Sequence, residues 1–278
     1  MFGVRAIRSF RDWPQEFCLE PTKAKRPKSY VICTSPRSGS TLLCRLLIDT
    51  GRCGQPSSLF HRADIAQWRL ALGVAKAEFT DRRAELMALF RAAHCQGTGA
   101  TGIFGVRLQR HSFAFFAKQL AHLHPDQTSD RDRIIAQFGP TLFIHLTRAN
   151  KVDQAISLVK ANQTGLWHQS ADGRELERLA PPREPVYDAA QISKSLAQVR
   201  AYDLDWCKWF DAQGIAPMRV EYDDLSGDPQ TVVASILQKL GQDPALARDV
   251  VPSVAKLRDA KSQEWADKFA KQARDCDL

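Results

Sequence analysis

The chain has 278 residues, with 39 lysines and arginines against 31 aspartates and glutamates, a formal charge of +8. That length suits one large α/β domain or two small ones with a buried core, and the surplus charge suits an anionic ligand. No basic stripe interleaved with aromatics points to nucleic acid, and no apolar run approaches the ~18–20 residues of a membrane span. The seven cysteines (18, 33, 44, 53, 95, 207 and 276) form neither a disulfide framework nor a zinc pattern. Charges interrupt the N-terminus too often for a signal peptide, so a cytoplasmic, reduced protein without a metal is expected.

In chain order, residues 1–28 are basic and proline-punctuated, an arm ahead of a single domain over 29–278. Tyr30–Cys33 is an apolar strand. A small-residue loop with one arginine follows (Ser35, Pro36, Arg37, Ser38, Gly39, Ser40, Thr41), and then a helix with Leu43, Leu46 and Leu47 on one face. A loop over 54–68 leads into helix, and 75–95 reads as helical. A glycine-rich turn over 97–100 precedes a strand over 102–106 that ends in Arg107. Residues 112–137 are helical with a polar break at 124–132.

Thr141–Thr147 has a buried-strand pattern and Arg148 follows at once. Asn150 caps a helix whose stripe is Val152, Ala155, Ile156 and Val159. Residues 169–190 are polar and read as a surface excursion. A long helix spans about 193–213, with Trp206, Trp209 and Phe210 as core or dimer contacts. A strand covers 217–222, and Asp228-Pro229 starts a helix that Gly241 ends. Strands alternating with helices predict an α/β fold with a central, mostly parallel sheet flanked by helices.

The first strand–loop–helix points backbone N–H groups and a helix N-terminus at one place, a ready anion site to which Arg37 adds a planar fork of donors. It is not a nucleotide-triphosphatase P-loop, because Ser40 follows Gly39 where lysine would stand and Thr34 takes the place of the first glycine. An ordinary βα turn and a kinase-like phosphotransferase remain the alternatives. Arg148 ends a second βα unit, and ligands of open α/β sheets bind at the carboxyl ends of strands. Arg37 and Arg148 can thus converge on one ligand with two phosphate-like groups, with Ser157 on the helix after Arg148.

The sequence resembles the PAPS-dependent sulfotransferases, which use 3′-phosphoadenosine 5′-phosphosulfate as sulfuryl donor. SPRSGSTLL looks like their 5′-phosphosulfate loop and IHLTRANKVDQAISL like their 3′-phosphate segment. Within that superfamily it is similar to the bacterial trehalose 2-sulfotransferase family, including lipopolysaccharide-sulfotransferase-like members. The matching segments are Thr50–Pro56, Gly102–Leu108, Glu221-Tyr222 and Lys261-Ser262-Gln263-Glu264-Trp265, in order over roughly 29–270.

The resemblance implies a P-loop-like sulfotransferase fold, PAPS as cofactor, a carbohydrate or glycolipid acceptor and a homodimer. It implies that Ser35, Arg37, Ser38, Gly39, Ser40 and Thr41 hold the 5′-phosphosulfate, and that Arg148, Ser157 and Lys261 hold the 3′-phosphate. Arg107, Trp167 and His168 are acceptor-pocket candidates, and Trp68 is a possible sugar platform.

One departure stands out. The family's GEPQEFF segment supplies a glutamate as general base, but the match here is Gly54–Phe60, which puts Ser58 in that position. A lone serine cannot take a proton at neutral pH. His61 is the nearest replacement in sequence, with His168 and Asp64 behind it. A non-catalytic nucleotide-binding homologue that has lost its base is the other reading.

Overall fold

The computed structural model describes residues 26–74, 79–170, 172–253 and 259–276. The N-terminal arm up to residue 25 lies outside them, and Lys28, just before the first strand, accepts from Phe104 N at 3.0 Å through its carbonyl. Four strands form the central sheet, β1 (Ser29–Thr34), β2 (Phe104–Gln109), β3 (Thr141–Thr147) and β6 (Met218–Glu221), in the order β2-β1-β3-β6. All three pairings are parallel. Such a sheet needs cover on both faces, which makes its central strands apolar throughout, as β1 is.

The two-residue period of β1 divides the core. Val31 and Cys33 face a cluster containing Trp68, Phe90, Phe116 and Trp206. These come from α2 (Ile65–Leu72), α3 (Arg82–Thr98), α4 (Arg110–Leu123) and α7 (Ala189–Ala212). Tyr30 and Ile32 face a second cluster with Leu43, Leu46, Leu47 and Ile236, from α1 (Ser40–Asp49) and α9 (Pro229–Lys239). A smaller cluster joins Ile156 and Val159 of α6 (Lys151–Thr164), Ile192 of α7 and Trp265 of α10 (Ala260–Cys276).

Several boundaries differ from the sequence expectation, each for a physical reason. α3 begins at Arg82, because Asp81 accepts a hydrogen bond from Ala84 N, and it runs through Gly97. Gly97 is helical rather than part of a turn: a Cβ there would stand 2.5 Å from the Phe104 ring and 2.7 Å from Gly105 O. Arg107 lies inside β2, not at its end. Tyr222 opens a short helix, α8 (Tyr222–Gly227). The break at 124–132 separates α4 from α5 (Asp130–Phe138), as expected.

The polar excursion opens in an antiparallel hairpin whose first strand, β4 (Leu166–Gln169), leads into it and whose second, β5 (Glu175–Arg178), lies within it, with shifts of register. Arg178 ties it down by donating to Thr164 O at 2.6 Å. Trp206, Trp209 and Phe210 are core, and Trp68 is buried among Phe60, Phe90 and Phe115 and so unavailable to a sugar. Among the described residues, no helix is long and apolar enough to cross a membrane.

Candidate active site

Four carboxyl-edge segments and the hairpin enclose a cavity of about 560 Å³, within the range of ligand sites. Its lining carries four arginines (37, 62, 107 and 148) against two carboxylates, Asp153 and Glu177. Such a cavity focuses positive potential on whatever enters.

The loop after β1 builds one wall. Arg37 adopts φ +64° and Gly39 φ +89°, and a left-handed arginine is a strained backbone that its surroundings must hold. Gln154 supplies part of that hold by donating to Pro36 O at 2.7 Å and to Ser35 Oγ at 3.0 Å. Ser35 in turn donates to Asp203 Oδ1 at 3.1 Å, and Ser38 Oγ meets Thr34 Oγ1 at 2.5 Å. The side chains of Ser35 and Ser38 therefore face inward, and both residues are fully buried, bracing the loop rather than lining the cavity. Gly39 is the N-cap of α1, and no side chain caps that helix. Its first-turn N–H groups keep the vacancy that favours an anion.

Arg37 joins the loop after β1 to the helix after β3. Its Nε donates to Ser157 Oγ at 3.0 Å, its Nη1 donates to Trp167 O, and its guanidinium lies 5.9 Å from the centre of the Trp167 ring. Burial, followed by the repulsion of Arg148, lowers the Arg37 pKa to about 10, with Tyr222 and Glu177 opposing that shift. An added anion relieves the repulsion. Arg148 stacks 4.7 Å over the Tyr222 ring and reaches Asp153 at 3.4 Å, while its Nε is buried without a partner.

On the opposite wall Arg107 Nε donates to Ser58 Oγ at 2.7 Å, and Arg107 Nη1 donates to Thr41 Oγ1 at 2.7 Å and to Ser40 Oγ at 3.3 Å. Ser58 is in reach because Ser57 bridges β2 at Val106, with Arg107 N donating to Ser57 O at 3.0 Å. His61 sits edge-on to His111 at 5.0 Å. Burial, then His111, Arg62 and Arg107, lower its pKa to about 4. His168 contacts Thr41 Oγ1 at 2.9 Å. Burial, then Arg37, Arg107 and Arg45, hold it at about 3.

The cavity thus gathers Arg37, Gly39, Ser40, Thr41, Ser58, His61, Arg107, Arg148, Ser157, Trp167 and His168, all anticipated from sequence. Four candidates lie elsewhere: Ser35 and Ser38 are fully buried behind the loop and do not line the cavity, and Lys261 and Asp64 stand apart from it. Lys261 pairs with Glu184 at 2.9 Å and lines an adjoining basic cavity of about 680 Å³, which also touches Arg37 and Ser157 but not Arg148. Its neighbour Ser262 lines the main cavity instead. Asp64 caps α2 by accepting from Ala66 N at 2.8 Å. Glu177 and Asp203 are additions of the structure that no sequence motif flagged, and Gln154 lies within the quoted 144–158 segment without being singled out there.

A parallel α/β sheet with an arginine-rich cavity at its carboxyl edge is the architecture of a ligand-binding α/β protein. The sequence model of the Stf0 sulphotransferase family matches residues 29–272, and the chain belongs to that family of enzymes. It is 28% identical over 270 residues to a trehalose 2-sulfotransferase of Mycobacterium tuberculosis, covering 91% of this chain and 97% of that protein. It is 27% identical over 270 residues to the trehalose 2-sulfotransferase of Mycolicibacterium smegmatis, covering 89% and 96%. Among solved structures, a sulfotransferase from Alicyclobacillus acidocaldarius aligns with a TM-score of 0.43 and 15% identity, over 88% of this chain and 92% of that one. The sulfotransferase domain of the Synechococcus PCC 7002 olefin synthase aligns at 0.36 and 17%, over 88% and 94%.

Proposed function

We propose that this sulfotransferase moves a sulfuryl group from PAPS to a hydroxyl of a carbohydrate or glycolipid. The observation that carries the reading is the contact of Arg37 Nε with Ser157 Oγ at 3.0 Å, which joins the loop after β1 to the helix after β3 within one cavity. A nucleotide with separated 5′ and 3′ anionic groups matches two such linked segments. The donor set agrees: α1 lacks a side-chain cap and Arg148 Nε is buried without a partner.

Bound there, PAPS supplies an activated sulfuryl group on a phosphate leaving group. In this reading Arg37, Ser40, Thr41 and the N–H groups of α1 hold the 5′ end and stabilise charge that develops on the departing phosphate. Arg148 and Ser157 hold the 3′-phosphate, and Lys261 screens it from the adjoining cavity. Ser58 and Arg107 face the acceptor side, and Trp167 offers a ring edge to a sugar. A homodimer in a cytoplasmic, reduced setting belongs to the same proposal and is consistent with the free thiols of Cys33, Cys44 and Cys53.

Calorimetric titration with adenosine 3′,5′-bisphosphate, AMP and magnesium ATP tests the reading. Preference for the bisphosphate supports it, and equal binding of all three removes the 3′-phosphate site. Binding of magnesium ATP alone favours a phosphotransferase.

A further inference from the structure

Sulfuryl transfer to a hydroxyl needs somewhere for the hydroxyl proton to go, and Ser58 offers nothing: its Oγ already accepts from Arg107 Nε at 2.7 Å. Of the two carboxylates that line the cavity, Asp153 is buried beside Arg148 at 3.4 Å. Glu177 is different. Its side chain is 47% exposed, and it stands on β5 directly across the hairpin from His168 of β4. Glu177 Oε2 lies 3.4 Å from His168 Nε2, and that nitrogen is 2.9 Å from Thr41 Oγ1 on the first turn of α1. The hairpin register therefore suspends a solvent-accessible carboxylate over the loop that carries Arg37, whose charge is within its electrostatic reach.

We infer that Glu177 is the proton acceptor for the attacking hydroxyl and that His168 is the positioning residue that holds its carboxylate. The inference rests on the sulfuryl-transfer reading above. In the step, the acceptor O–H bond breaks and its proton goes to the Glu177 carboxylate. The oxygen's electron pair forms the new O–S bond. The old S–O bond to the 5′-phosphate breaks, and its electron pair leaves on the phosphate, facing Arg37. His168 suits its part because burial first, and the surrounding arginines second, favour its neutral form. A neutral ring 3.4 Å from the carboxylate oxygen orients it without consuming its charge in an ion pair. His61 has no carboxylate beside it in the cavity, only His111 and two arginines.

The test compares wild type with Glu177→Gln, Glu177→Asp, His168→Gln and His61→Gln. Single-turnover consumption of labelled PAPS is followed with trehalose and a panel of sugars, and with water as the only acceptor. Adenosine 3′,5′-bisphosphate binding is measured in parallel as the control for folding and for the nucleotide site. Glu177→Gln is expected to slow transfer by about 100-fold or more, as loss of a general base does, with bisphosphate affinity kept. Glu177→Asp recovers part of the rate. His168→Gln gives a smaller loss and moves the acid limb of the pH–rate profile, which a purely structural role would leave in place.

An active wild type with Glu177→Gln at the same rate overturns the inference and leaves the sulfuryl-transfer reading intact. So does a loss confined to His61→Gln. A wild type that binds the bisphosphate yet transfers to neither sugars nor water overturns it as well, since no base is then at work. Absence of bisphosphate binding brings down the underlying reading itself.

Discussion

The ring of Tyr222 lies between Gly39 and Arg148: the arginine stacks on it at 4.7 Å, and a Cβ on Gly39 would stand 2.9 Å from Cε2 and closer still to Cδ2. One side chain at the end of β6 thereby fixes the distance between the loop after β1 and the arginine after β3. Gly39 also needs its φ of +89°, so Gly39→Ala adds backbone strain to a ring overlap. Together these are expected to cost about 2–6 kcal/mol, from strain of roughly 1–3 and overpacking of similar size. Urea unfolding reads the loss. Tyr222→Ala in the same chain should recover part of it, because the overlap is shared between the two residues. Purely additive losses would mean the ring is not the obstacle.

Arg148→Ala separates the two ends of the ligand. Charge-assisted hydrogen bonds are worth roughly 1.5–3 kcal/mol, so bisphosphate affinity should fall on the order of 10- to 100-fold. AMP, which lacks the 3′-phosphate, should lose little. Parallel calorimetric titrations check this, and equal losses for the two ligands would detach Arg148 from the 3′-phosphate.

Much of this arrangement was legible in the sequence because it is local. The apolar runs of β1 and β3, each followed within a few residues by an arginine and a helical stripe, mark both anion segments without any knowledge of the tertiary structure. The hairpin was not. ELER has neither β-branched residues nor clean alternation, so β5 reads as surface loop. Glu177 gains its place from the cross-strand pairing with His168, in a ladder interrupted by register shifts. Asp203 is equally silent, because a charge in the middle of a long helix looks solvated, and its partner Ser35 is 168 positions away. Gly97 misled through its usual association with turns, when its role is the close approach of α3 to β2.

Asp203 yields the next prediction. It accepts from Ser35, Thr147 and Lys151, and Lys151 also donates to Arg148 O at 2.6 Å. This largely buried α7 carboxylate braces the loop after β1 and the end of β3 from behind. Asp203→Ala leaves Lys151 buried with its counter-charge removed, a change that costs about 3–5 kcal/mol in comparable pairs. Chemical denaturation is expected to register a loss near the lower end, since some solvent reaches the pair. Asp203→Asn keeps hydrogen-bonding capacity toward Ser35 and Thr147 and should lose less. A stability unchanged in both variants would show that α7 does not brace the loop.

The histidines of the cavity make the protein sensitive to acid in a defined direction. An unperturbed histidine titrates at about 6.5, whereas burial and the neighbouring arginines hold His168 at about 3, and burial with His111 and two arginines holds His61 at about 4. Below pH 6.5 the unfolded chain takes up protons that the folded chain refuses. Their contribution to stability is therefore complete above that pH and is lost progressively as pH falls toward 4 and 3. Thermal melting should show that decline, and His61→Gln with His168→Gln should flatten it; an unchanged slope would assign the acid sensitivity to other groups. A bound polyanion changes the balance, because it neutralises Arg37 and Arg107, which disfavour the charged form of His168. Adenosine 3′,5′-bisphosphate binding at pH 5 is accordingly expected to draw in protons, measured as a dependence of the binding enthalpy on the ionisation enthalpy of the buffer. Uptake that disappears in His168→Gln would locate the 5′ end of the ligand beside Thr41 and Arg37, and no uptake in wild type would place its charge away from them.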